Sequence, residues 1–276
     1  MDCSVLLIGG SQSREFAAVR ESLRGRRVAD CPEIAAAIGM LAAGQQEPEL
    51  IILLQAWPSE FDPAALEELR RRAPLARVVN ILGSWCEGET RSGTPLAGTT
   101  RLYWHQWQAH CALDEIQMAA GVCPSWGLPV TATEEDRLLW AAEHPAPVFL
   151  DKGKELPIVG ILSNQQATWE WLASACEQLG CRAIWLRPDQ VHERLSVILW
   201  GYAGDPSEES QLSAVLASQS DRPPVLALVT FPRAGDLQDL SRLGVTALIG
   251  KPVRLDELRW HLQSLQGGVE RTAPGW

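Results

Sequence analysis

Pro223-Pro-Val-Leu-Ala-Leu-Val-Thr230 is followed by Phe231-Pro-Arg-Ala-Gly-Asp236 and by Leu237-Gln-Asp-Leu-Ser-Arg-Leu-Gly244. Val245-Thr-Ala-Leu-Ile-Gly250, Lys251-Pro252 and Leu255-Asp-Glu-Leu-Arg-Trp-His-Leu-Gln-Ser-Leu265 complete the stretch. An apolar run of strand length ends in a hydroxyl residue, and a short helix stops at a glycine. A second apolar strand ends in Gly-Lys-Pro. The last segment carries Leu at 255, 258, 262 and 265, which is one face of a helix. The spacing therefore predicts strand, helix, strand, helix.

With Thr230 closing one strand and Lys251-Pro252 closing the next, the stretch resembles the carboxyl-terminal half of a bacterial response-regulator receiver domain. The resemblance implies a fourth strand ending in Thr or Ser and a fifth ending in Lys followed by Pro. It also implies a face for partners, made by the fourth helix, fifth strand and fifth helix.

The same alternation extends back through the chain. At 276 residues the length suits two domains. Residues 4–8, 27–31, 49–54, 78–82 and 101–104 read as strands. Helices are expected at 13–23, 34–41, 63–72 and 106–118 between and after them. The run 49–54 is apolar throughout, as in a parallel strand covered on both faces. In the second half, strands are expected at 157–163, 181–186 and 196–200, with helices at 165–179 and 207–218. Only a turn or two of helix fits within 187–195. The expected fold class is α/β: two doubly wound, flavodoxin-like, receiver-type domains with central five-stranded parallel sheets. The resemblance covers 1–120 and 156–268. Residues 121–155 read as a partly ordered linker, its boundary at 145–155, and 269–276 as a flexible tail. Within the linker, Thr131 or Thr133 caps an acidic-first helix with Leu138, Leu139 and Trp140 to bury, so part of the segment is expected to pack on a domain.

A net charge of −10 argues against nucleic acid, since phosphate binding needs a basic face. No apolar run approaches the roughly 18–20 residues that span a bilayer, and the amino terminus lacks a signal-peptide pattern. Seven cysteines are scattered with no Cys-x-x-Cys, so no zinc or dithiol motif is signalled. A reduced, cytoplasmic protein follows. Lys251 is one of only three lysines, beside Lys152 and Lys154.

The receiver resemblance also shows what is missing. Gly9-Gly10 stand where the magnesium-binding acids belong, and Gln55 stands near the acceptor aspartate. Gly9-Gly10 lack the glycines of a dinucleotide loop as well. In the second half, Leu162-Ser-Asn-Gln165 replaces the acids, and Trp200 or Gly201 falls at the acceptor position. Asp205 is the nearest carboxylate. An aspartyl phosphate needs a carboxylate nucleophile and a hard cation on oxygen ligands. No cofactor or metal is expected. Thr230, Lys251 and Pro252 thus read as remnants: Pro starts the last helix, and Lys caps carbonyls or pairs with Asp205 or Asp236.

The least regular stretch is 83–100, which contains Trp85-Cys-Glu-Gly-Glu-Thr-Arg91 and precedes Tyr103-Trp-His-Gln-Trp107. It shows no helical period and lies beyond the carboxyl ends of the strands, where ligands bind in open α/β sheets. Three readings compete for it. It is a self-packed loop with Arg91 paired to Glu87 or Glu89. Or it is a partner-binding surface built from Trp85, Cys86, Glu87, Glu89, Arg91, Trp104, His105 and Trp107. Or it is a ligand or chemical site using Cys86, Glu87, Glu89 and His105. The expected function is non-catalytic: two pseudo-receiver domains acting by protein recognition in a two-component-type pathway. The partner would be a signalling kinase, an output protein or a second copy of the chain.

Overall fold

The computed structural model describes residues 4–10, 13–144, 156–188, 190 and 194–266. The chain divides into two compact units, Met1–Ala146 and Pro147–Trp276. The boundary expected at 145–155 and the tail at 269–276 lie outside the described residues, as does part of 187–195.

The first unit alternates strands and helices. They are β1 (Ser4–Gly9), α1 (Ala17–Ser22), β2 (Arg27–Cys31), α2 (Ile34–Ala42), β3 (Leu50–Gln55), α3 (Pro63–Arg72), β4 (Arg77–Leu82), a one-turn α4 (Glu89–Ser92), β5 (Thr100–Tyr103), α5 (Trp107–Ala119) and α6 (Glu134–Glu143). All strand pairs are parallel, in the order β2-β1-β3-β4-β5. This is the flavodoxin-like order.

The second unit repeats it. β6 (Ile158–Leu162), α7 (Gln166–Gln178), β7 (Arg182–Trp185), β8 (Val197–Gly201), α8 (Pro206–Ser218), β9 (Val225–Thr230), α9 (Ala234–Arg242), β10 (Val245–Lys251) and α10 (Leu255–Gln266) follow in turn. Its sheet runs β7-β6-β8-β9-β10, again parallel. Both units are receiver-type α/β layers.

The strand period of two explains why each sheet is covered on both faces. In the first unit Val5, Leu7, Ile52, Leu54 and Ile81 pack with Phe16, Val19, Trp104 and Trp107. Their neighbours Leu6, Ile8, Ile51 and Leu53 pack with Leu41, Leu66 and Leu69 on the other side. In the second, Ile161, Leu199, Leu228 and Ile249 meet Leu172, Leu258 and Leu262, while Trp200 and Val229 face Leu212, Val215 and Leu240. Each such leucine contributes about 1.5–3 kcal/mol by leaving water.

Polar caps fix the helix starts. Asp62 accepts from Ala64 N at 3.1 Å, with Pro63 behind it. Asp205 does the same for Ser207 N at 2.8 Å ahead of α8. Asp205 is therefore a cap, neither folded back to an acceptor site nor paired with Lys251. Helix α6, in the segment expected to be a partly ordered linker, groups with the first unit, where Gln117 donates to His144 O at 2.9 Å. One expectation about this helix is corrected. It leaves Leu138 and Leu139 exposed, because the helix meets the unit through Arg137 and Trp140, which donate to Ser125 O and Cys123 O.

Leu258 is fully buried at the centre of the α10 contact. Leu258→Ala should lower the stability of the second unit by about 2–5 kcal/mol, read as a lower denaturant midpoint.

Candidate functional site

In the first unit the loops at the carboxyl ends of the strands are tied together by Gln55. It ends β3 and is 1% exposed. Its Nε2 donates to Glu89 Oε1 at 2.7 Å and to Trp57 O at 3.1 Å. Its Oε1 accepts from Asn80 Nδ2 at 2.7 Å. Its backbone carbonyl accepts from Gly83 N at 2.8 Å and from Cys86 Sγ at 3.5 Å. Glu89, 3% exposed, receives Arg101 through Oε2 at 2.9 Å. The buried carboxylate thus has both a cation and an amide, which a buried charge requires.

Two more carboxylates hold the adjoining turns. Glu15 accepts from Ser84 N at 3.0 Å and Ser84 Oγ at 2.6 Å. Glu60 accepts from Trp57 N at 3.2 Å. Gly83 permits the close approach: a Cβ there would lie 2.5 Å from Glu15 Oε2 and 3.2 Å from Ala56 Cα. Above this network Trp57 and Trp85 stack, with centroids 5.2 Å apart and planes 23° from parallel. They remain 54% and 63% exposed.

The stretch 83–100 is more regular than its sequence suggests. It contains a 3-10 turn at Ser84–Cys86 and the single turn α4. Leu96 is buried against the core, and Arg70 donates to Ala97 O at 2.6 Å. The partner of Glu89 is Arg101 rather than Arg91, because β5 directs Arg101 onto the buried carboxylate. Arg91 is exposed on α4.

Trp104 and Trp107 are buried in the core, so neither lies on the partner surface assigned to them. Trp107 also donates to Ser22 Oγ at 2.7 Å. His105 stacks on Tyr103 at 5.8 Å and meets Trp104 edge-on at 5.6 Å. Its buried Nδ1 has no hydrogen-bond partner among the described residues, and burial pushes its imidazole down to about 4. Cys86 is fully buried. Burial first, then the charges of Glu89 and Glu60, push its thiol up to about 12. Its sulfur hydrogen-bonds to Gln55 O rather than to His105, and a thiol so protonated is a poor nucleophile. Glu87 is half-buried, and burial raises its carboxyl. Among the described residues no three metal-ligating side chains gather.

In the second unit the register places Thr230 beside Lys251 at the ends of β9 and β10. Thr230 is exposed. Lys251 Nζ donates to Tyr202 O at 3.1 Å, so it caps a carbonyl, and burial lowers its pKa. Asp236, the other candidate partner, accepts from Arg233 N at 2.8 Å instead. The Lys251–Pro252 peptide is cis, and Pro252 closes β10 but, against expectation, does not start the last helix, since α10 begins only at Leu255. Gly201 ends β8, and a Cβ there would lie 3.2 Å from Thr168 Cγ2 and 3.3 Å from Ser163 Oγ. Phe231 follows Thr230 at φ 53° and is 59% exposed.

Sequence reasoning missed Trp57, Asn80, Arg101 and Phe231. A signal existed for Trp57. Ala56-Trp-Pro58 leaves the strand end at once, with no periodic position in which to bury an indole.

No family model and no curated protein matches the chain. Among solved structures it is similar to a putative two-component system response regulator/GGDEF domain protein, at 10% identity and a TM-score of 0.37, covering 98% of this chain and 100% of that one. It is also similar to the RcsC C-terminus of E. coli, containing a linker region and a phosphoreceiver domain. There the identity is 14% and the TM-score 0.33, covering 98% and 94%. A tagatose-6-phosphate ketose/aldose isomerase from Escherichia coli matches at 12% and 0.26, covering 96% and 80%. Scores this low assign no function, and the fold rests on the strand orders above. Among the described residues no helix is long and apolar enough to cross a membrane.

A folded-state pKa below the ordinary histidine value makes His105 stabilising when neutral. Its contribution should be full above about pH 6.5 and be lost as pH falls toward about 4. His105→Gln should flatten the stability slope across that window in urea melts. In the folded protein, Cys86 should resist iodoacetamide at pH 8 while the exposed Cys123 alkylates, as mapped by peptide mass spectrometry.

Proposed function

We propose that the chain is a phosphorylation-independent, non-catalytic signalling protein: two pseudo-receiver domains, 1–120 and 156–268, acting by protein recognition in a two-component-type pathway. The observation that carries this reading is the state of Gln55. The group at the acceptor position is a buried amide whose donors and acceptor are all engaged inside the protein. An amide is no nucleophile for phosphoryl transfer, and its position is sealed from an incoming phosphodonor. Gly201 supports the same reading in the second domain, since Ser163 and Thr168 fill the space a longer side chain would take.

The recognition surface lies on the loops above Gln55 in the first domain, with Trp85 and Arg91 exposed. In the second it lies on α9, α10 and the turn at Phe231. The partner is a signalling kinase or an output protein, and a homodimer would use the same surface. The other reading, chemistry by Cys86, Glu87, Glu89 and His105, has the geometry against it. The thiol is bound to a carbonyl, and Glu89 is already neutralised by Arg101.

Incubation with acetyl phosphate and magnesium, read by intact mass, should leave the protein unmodified. An adduct of one phosphoryl group that is lost in an Asp205→Asn variant would overturn the reading.

A further inference from the structure

Trp57 and Trp85 come from two separate loops, yet both are set by the same residue. Gln55 Nε2 holds the carbonyl of Trp57, and Gln55 O holds Gly83 and Cys86 on either side of the turn that carries Trp85. Glu15 on Ser84 and Glu60 on the Trp57 amide fix the same two loops from outside. The indoles are therefore held in place before anything binds, so little ordering cost would fall on association. Both residues remain more than half exposed. Stacked, exposed tryptophans are the side chains that carry binding energy when a partner covers them.

The charge around the pair selects the partner. Glu60, Asp62 and Glu87 stand on the two loops against the single exposed cation Arg91. Glu89 is excluded from that tally because Arg101 neutralises it. The chain as a whole carries −10, a field that draws in cations and repels acidic segments. An indole face attracts a guanidinium through its quadrupole, and more strongly when water is excluded. A guanidinium between such rings and flanking carboxylates would be satisfied on its faces and its edge together.

We propose that the Trp57–Trp85 pair is a docking site for an arginine-bearing basic segment of a protein partner, received on the indole faces and flanked by Glu60, Asp62 and Glu87. This rests on the recognition reading above and names the chemistry of the partner.

The full chain, labelled with 15N at the indoles, is titrated with a blocked Gly-Arg-Gly-Arg-Gly-Arg peptide. Single Trp57→Ala and Trp85→Ala variants assign the two signals, and the remaining indole signals report that each variant is folded. The expected result is movement of these two signals, with binding at least about tenfold weaker for the citrulline analogue of the peptide. Each variant should weaken binding, and added salt should do so too. Failure of the arginine peptide to move either signal would overturn the proposal. So would equal binding of the citrulline analogue or unchanged binding in both variants. Movement instead on adding a proline-only peptide or an oligosaccharide, or on raising protein concentration alone, would assign the pair to another ligand or to a second copy, and equally overturn it. None of these outcomes bears on phosphoryl transfer. A negative titration with no phosphoryl adduct leaves recognition standing and removes only this partner chemistry.

Discussion

The side-chain amide of Gln55 is the constraint on which the first unit's carboxyl edge depends. A buried amide must spend its donors and its acceptor, or lose about 1–3 kcal/mol for each group left unmet. Gln55 spends them on Glu89, Trp57 O and Asn80, each on a different element. The choice of residue is chemically forced. Glu89 Oε1 lies 2.7 Å from the Gln55 nitrogen and needs a donor there. An ionised aspartate at position 55 would offer only acceptors and would set two buried anions side by side. The buried Glu89–Arg101 pair and an acceptor carboxylate at position 55 therefore exclude one another.

The second unit closes its corresponding position by packing rather than by hydrogen bonding. Gly201 sits so near Ser163 and Thr168 that a Cβ there would press on both side chains. Lys251 keeps its place beside Thr230 in the register, yet its ammonium satisfies a backbone carbonyl. The ends of β3 and β8 thus differ, with a saturated polar cluster in one unit and close packing around a glycine in the other. What the two units share is exposed aromatic surface just past a strand end: Trp57 and Trp85 in the first, Phe231 in the second. Phe231 is held in a left-handed backbone conformation that aromatic residues seldom adopt, which is costly unless its surroundings impose it.

The ten strands were legible because most are local apolar runs with punctuation at their ends, β2 (Arg-Val-Ala-Asp-Cys) being the weak one, and because the glycine and proline signals agree with the periods. Gly244 after α9 and Pro63 and Pro206 at helix starts are of that kind. The candidate site was half legible. Trp85 and the irregular loop stood out, since an unusual composition needs no partner to be noticed. Trp57, Asn80 and Arg101 did not, because their meaning lies in contacts with residues far along the chain: Gln55 meets Glu89 34 residues away and Asn80 25 away. The assignments of Trp104 and Trp107 failed for a related reason. Both follow a strand end as Trp85 does, but Trp104 begins a turn and Trp107 begins a long helix that packs back on the sheet. Composition alone cannot separate an indole that turns inward from one left outside.

Holding two tryptophans in water has a cost that folding alone does not explain, since an exposed loop can be built from polar residues. Stacking recovers part of that cost by hiding one face of each ring from solvent. The loops that carry the two rings are held from beneath by hydrogen bonds to Gln55, Glu15 and Glu60. A rigid support of this kind adds little to the stability of a loop that could fray freely, but it does lower the entropy lost when a partner arrives. On the proposed reading, the buried network and the exposed pair are one device. Gln55, which is buried among Glu89, Trp57 O and Asn80, also holds the turns from which the indoles project, so one set of hydrogen bonds serves both.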